Sequence, residues 1–89
     1  MRFRPEMHAR TDAVEAALTA IETGSCTDEL REAAHQAAHK LAGSLGMFGS
    51  KRGTEIARSL EGYFAEEKSS QDAATLHESV AELRRIIGE

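Results

Sequence analysis

Two of the four histidines, His35 and His39, stand one helical turn apart, with Glu32 three residues before the first and Lys40 directly after the second. Three chemistries use such groups. A metal ion is the first: His-x-x-x-His puts two imidazoles on one face, and Glu32-x-x-His35 is half of a di-iron carboxylate pattern. Bundle metal sites, however, point inward and draw ligands from several helices. Here there is one Glu-x-x-His, and the lone Cys26 belongs to the preceding loop. Hydrolysis is the second, but an exposed imidazole without a paired serine or cysteine and without oxyanion donors has no machinery for it. No Gly-x-x-x-x-Gly-Lys-Ser/Thr loop is present for independent ATP use. The third is a covalent way-station: a largely neutral imidazole offers a nitrogen lone pair to phosphorus, while a partner protein supplies activation and enclosure. His8 and His77, near helix margins, read as ordinary solvated or packed side chains. An inert helical interaction surface and a metal-binding bundle stay open beside the carrier reading.

The helix that must position these groups shows why direction matters. At about 100° per residue, Leu30, Ala34, Ala37, Leu41 and Leu45 gather into an apolar stripe, and His39 projects roughly opposite Leu30. His39 therefore points to water. Its neighbours on the outward face are His35, Gln36, Ala42, Gly43 and Gly46. A glycine inside a helix costs about 1 kcal/mol relative to alanine, so a low surface through which another molecule reaches the imidazole explains two of them here. Lys40 is placed to offset phosphoryl charge at the edge of such a site.

Stepping outward along the chain, 89 residues, an alanine-rich composition and a single proline favour one small helical domain, residues 1–89, over any sheet. Met7, Val14, Leu18 and Ile21 mark a first helix over about Pro5 to Glu22, followed by the turn Thr23-Gly24-Ser25. Thr27 is the expected N-cap of the second, with Asp28 and Glu29 in its first turn. The chain turns between Leu45 and Ser50. Ile56, Leu60, Tyr63 and Phe64 mark a third helix to about Glu67, with Gly49 and Gly53 on its packing side. Ser69 to Asp72 reads as a loop, and Leu76, Val80, Leu83 and Ile87, closed by Gly88, make the fourth helix. Short connections then predict an all-α, antiparallel up-down-up-down four-helix bundle.

The composition also excludes some partners. A net charge of -4 with scattered basic residues argues against nucleic-acid binding. There is no secretory signal and no run of about 18 apolar residues, so the chain reads as soluble. The lone Cys26 is consistent with a reducing cytoplasm.

With these residues in hand, His39-Lys40-Leu41-Ala42-Gly43-Ser44, Gly49 ten residues after the histidine, and Leu60-Glu61 further on resemble the histidine-containing phosphotransfer (HPt) domain of bacterial phosphorelays. The family pattern is His-x-Leu-Lys-Gly-Ser, then a glycine opening the next helix, then an alanine-containing aliphatic stripe ending in Leu-Glu. The resemblance implies that His39 accepts a phosphoryl group from a receiver-domain aspartyl phosphate and passes it to another receiver. It implies no enzyme activity of the domain's own, no bound cofactor, and a Mg²⁺ ion in the partner receiver. Gly43 would keep the histidine accessible, Lys40 would support the phosphate, and Glu61 would hydrogen-bond the second ring nitrogen. His35, Gln36, Ala42, Gly43 and Gly46 would dock the receiver. A hybrid or sensor histidine kinase is the expected upstream partner, and a monomer the expected state. Ala42 departs from the pattern, which has lysine there, so either Lys40, or Lys51 and Arg52 after the turn, is expected to supply the missing cation, or transfer is less efficient.

Overall fold

A computed structural model describes residues 4–65 and 73–88 of the chain. They form four α-helices: α1 (Arg4–Glu22), α2 (Asp28–Met47), α3 (Lys51–Ala65) and α4 (Ala73–Ile87). The expected loop over Ser69 to Asp72, and the last residues expected of the third helix, lie outside the described residues.

Each boundary has a local cause. The first helix closes in a Schellman motif, in which the Ser25 amide donates to the Ala20 carbonyl at 2.8 Å and the Gly24 amide to that of Ile21 at 3.1 Å. Thr27 then caps α2, its hydroxyl accepting from the Leu30 amide at 3.1 Å. At the other end of α2 the same motif recurs: Ser50 donates to the Leu45 carbonyl at 2.9 Å and Gly49 to that of Gly46 at 3.1 Å. Ser50 does double duty, because its hydroxyl also accepts from the Gly53 amide at 3.1 Å and so caps α3. The turn between the two helices is therefore only three residues long, Phe48 to Ser50.

Gly49 is at φ +75°, and a Cβ built on it would meet nothing within 4 Å. Its purpose is the left-handed turn, not the close helix packing expected of it. Close packing belongs to Gly53, which is buried. A Cβ there would lie 2.8 Å from Ser50 Oγ and 3.2 Å from a Leu45 methyl.

The apolar stripes meet in one core of Met7, Val14, Leu18, Ala34, Leu41, Leu45, Ile56, Leu60, Phe64, Leu76, Val80, Leu83 and Ile87, with alanines between them. Cross-helix pairs fix the topology. His39 with Glu61 and Leu45 with Gly53 run α2 against α3 in opposite directions. Arg84 with Asp12 and Glu15, and His77 with Glu22, do the same for α4 and α1. The result is the antiparallel four-helix bundle expected. Thr11 is the one polar residue described as fully buried, and its hydroxyl donates to the Met7 carbonyl at 2.7 Å.

Two residues of α2 depart from the helical wheel. Leu30, expected in the core stripe, is 37% exposed. It sits in the first turn, where side chains lean toward the helix N-terminus and so overhang the end of the bundle. Ala42, expected on the exposed strip, is buried at 7%. The second helix touches both α1 and α3, so its covered face is wider than a single stripe and takes in Ala38 and Ala42 on the α3 side.

Candidate functional site

His39 projects from the middle of α2 with 67% of its side chain exposed. Across the groove, Glu61 on α3 places Oε2 2.8 Å from His39 Nδ1, and the Glu61 side chain is only 27% exposed. An ionised carboxylate only accepts hydrogen bonds, so the Nδ1 nitrogen carries the shared proton. In the neutral ring the Nε2 nitrogen is then the one with a free lone pair. The ring is held by one edge, and its other edge faces solvent.

The floor around it is low. Gly43, one turn on, has nothing within 4 Å of the position a Cβ would take, and at Gly46 such an atom would meet only Thr54 Oγ1, at 3.8 Å. Both glycines are exposed. Below them a groove of about 400 Å³ runs toward the turn, lined by Gly46, Ser50, Lys51, Thr54, Glu55 and Arg58 among others.

The other residues of the expected strip divide. Gln36 is exposed and donates to Glu32 Oε2 at 2.9 Å. His35 is half-buried, with Nδ1 4.0 Å from the same carboxylate oxygen. Glu32 thus gathers both residues into a polar ledge one turn above His39, and among the described residues no cluster of three or more His, Cys, Asp or Glu side chains could hold a metal ion. Gly43 and Gly46 stay on the strip, but the buried Ala42 leaves it and offers a partner no surface.

The cations separate in the same way. Lys40 is exposed beside His39. Arg52 is not available to this site, because it faces α4 and forms a two-pronged pair with Glu82, Nε to Oε2 at 2.7 Å and a terminal nitrogen to Oε1 at 3.1 Å. That pair raises the arginine above its ordinary value and holds the Glu82 carboxyl below the usual carboxylate range, the hydrogen bond being the main cause in each case. Lys51 lines the far end of the groove. Arg58 and Thr54, which sequence spacing did not single out, line it as well. The signal that finds them is the register between α2 and α3, set by His39 against Glu61 and Gly46 against Thr54.

His77 has a tertiary setting that its sequence neighbours do not disclose. Its Nε2 lies 2.8 Å from Glu22 Oε1 and its Nδ1 4.0 Å from Glu15 Oε2. With Arg84, 2.7 Å from both Asp12 and Glu15, it ties α4 to α1 on the side away from His39.

Among the described residues no helix is long and apolar enough to cross a membrane. Comparison with curated proteins and with solved structures returns no significant match. The family model described as the Hpt domain matches residues 1–88. A bundle of this architecture, with that match over nearly its whole length, belongs to the Hpt domain family, the phosphotransfer modules of two-component signalling.

Proposed function

We propose that the domain is a phosphorelay intermediate in which His39 carries the phosphoryl group on Nε2. The Nε2 lone pair attacks the phosphorus of an aspartyl phosphate in a receiver domain. An N–P bond forms as the P–O bond to the aspartyl carboxylate breaks, and that carboxylate leaves with the bonding electron pair. The Nδ1 proton stays on the ring, so the product is a phosphoimidazolium whose positive charge faces Glu61. Transfer to the aspartate of a second receiver reverses the same bonds. The receiver's pocket closes over the imidazole and contributes the Mg²⁺ ion of the reaction, and the domain itself holds no cofactor. Gly43 and Gly46 let that pocket approach, His35 and Gln36 contact its rim, and Lys40 offsets charge from one side. The domain acts as a monomeric cytoplasmic carrier between a hybrid or sensor kinase and its receivers.

The observation that supports this reading is the half-held ring, exposed with one nitrogen on Glu61 and the other free. Incubation with a ³²P-labelled phosphorylated receiver tests it. Acid-labile, alkali-stable label that disappears in His39→Gln is the expected result. Label that persists in that variant would sink the assignment of His39. Receiver binding without any label would make the domain a docking module instead.

A further inference from the structure

The family pattern has a lysine where this chain has the buried Ala42, and a phosphoryl group on His39 is stabilised by a cation within reach of its oxygens. Lys40 does not supply it. At about 100° per residue, Lys40 lies about 100° from His39 around the helix in one sense and Ala42 about 60° in the other. The α3 side of the imidazole is the Ala42 side, and Lys40 is turned away from it. Arg52 is committed to Glu82. Lys51, in the first turn of α3, stands at the far end of the groove.

Arg58 is differently placed. His39 pairs with Glu61, and Gly46 faces Thr54, so counting inward from both pairs brings residue 58 level with residue 42. Arg58 precedes Glu61 by three residues, which is one turn and about 4.5 Å along α3, on the same face. It is exposed, it lines the groove beside Gly46 and Thr54, and its side chain forms no ion pair or hydrogen bond with another described residue. Glu55, the acid in that groove, lies 3.9 Å from Arg52. A long cation therefore stands across the helix pair from the position where alanine replaces lysine.

We propose that Arg58 is the phosphoryl-binding cation of this domain, its guanidinium donating to the oxygens of the group on His39 in place of a lysine at position 42. The fork of a guanidinium suits a phosphoryl group, to which it donates two hydrogen bonds at once. The burial of Ala42 and the exposure of Arg58 are then one arrangement, in which α3 and not α2 carries the charge on this side of the ring.

The proposal rests on His39 as the carrier, and its test is chosen to be independent of any receiver. Phosphoramidate phosphorylates exposed histidines directly, and ³¹P NMR then follows the last ionisation of the phosphoryl group as pH is varied. A nearby guanidinium favours the dianion, so in Arg58→Ala the midpoint moves up by about 0.5 pH unit, while Arg58→Lys stays near the wild type. The substitution is at an exposed site, and an unchanged thermal melt shows the fold intact. An unchanged midpoint in Arg58→Ala overturns the proposal, as does a larger shift in Lys40→Ala or Lys51→Ala than in Arg58→Ala. Receivers supply the second arm. At saturating phosphorylated receiver, Arg58→Ala transfers about tenfold more slowly, a change of about 1.4 kcal/mol. A variant that changes only the receiver concentration needed for half-saturation would make Arg58 a docking residue and also overturn it. If the wild type accepts no label from any receiver yet shows the ³¹P shift, the relay reading fails while the assignment of Arg58 stands.

Discussion

The carboxylate of Glu61 reaches across from α3 to hold Nδ1 of His39 at 2.8 Å, joining residues 22 apart in the sequence. The consequence is chemical as well as structural: the pair selects the tautomer that leaves Nε2 free, and it places a negative charge where an imidazolium charge develops. Truncating that side chain, Glu61→Ala, is expected to slow transfer from a phosphorylated receiver about tenfold, or about 1.4 kcal/mol. In Glu61→Gln the amide oxygen still accepts from Nδ1 but carries no charge, so about threefold of the loss remains. Transfer rates of the three proteins, with melting curves that show the bundle still folded, check this order.

Gly43 on α2 and Gly53 on α3 have opposite reasons to exist, and stability measurements separate them. At Gly43 an added Cβ meets open space, so Gly43→Ala should gain about 1 kcal/mol from helix propensity alone. At Gly53 the added atom lies 2.8 Å from Ser50 Oγ and 3.2 and 3.3 Å from the Leu45 methyls. Gly53→Ala must displace the α3 cap or the leucine, and a loss of about 1–2 kcal/mol follows. Urea unfolding reads both. A larger residue at the first position, Gly43→Leu, leans back over the turn that holds His39 and is expected to slow transfer without unfolding the bundle.

How far the bundle can be read from its sequence depends on whether a feature is local. Thr27 and the turn between Leu45 and Ser50 announce themselves, because a cap or a tight turn needs only residues within one turn of each other. The outward direction of His39 is likewise a property of one helix. Ala42 escapes the same wheel because a helix with two neighbours buries two flanks, and the position of α3 is not contained in the periodicity of α2. The two arginines show the same limit. Arg52 is turned toward Glu82, 30 residues away, while Arg58 faces the groove, and nothing in the run Lys51 to Glu61 distinguishes them until the register of α3 against α2 and α4 is known. His77 finds Glu22 across 55 residues, beyond any local pattern.

Two leucines of α2 that share one apolar stripe in the sequence should part in experiment. Leu41 is fully buried, whereas Leu30 is 37% exposed in the first turn. Leu41→Ala leaves a cavity in the centre of a small core and is expected to cost about 2–4 kcal/mol. Leu30→Ala removes a side chain that already sees water and should cost under about 1 kcal/mol. Denaturant midpoints with unchanged slopes would establish the difference.

The Arg52 and Glu82 pair gives the bundle a pH dependence of definite sign. The Glu82 carboxyl is held below its ordinary value of 4.5, first by the hydrogen bond from Arg52. A group whose folded value is depressed stabilises the fold above its unfolded value and loses that contribution as pH falls through the folded one. Wild type should therefore melt above Glu82→Gln at pH 7, and the gap should begin to close as pH drops below about 4.5 and vanish in stronger acid. Arg52 stays charged throughout, so the closing reports Glu82 alone. Both side chains meet solvent, so 0.5 M salt should also narrow the gap at pH 7. A gap that persisted unchanged to the lowest pH would mean that Glu82 contributes packing between α3 and α4, not charge.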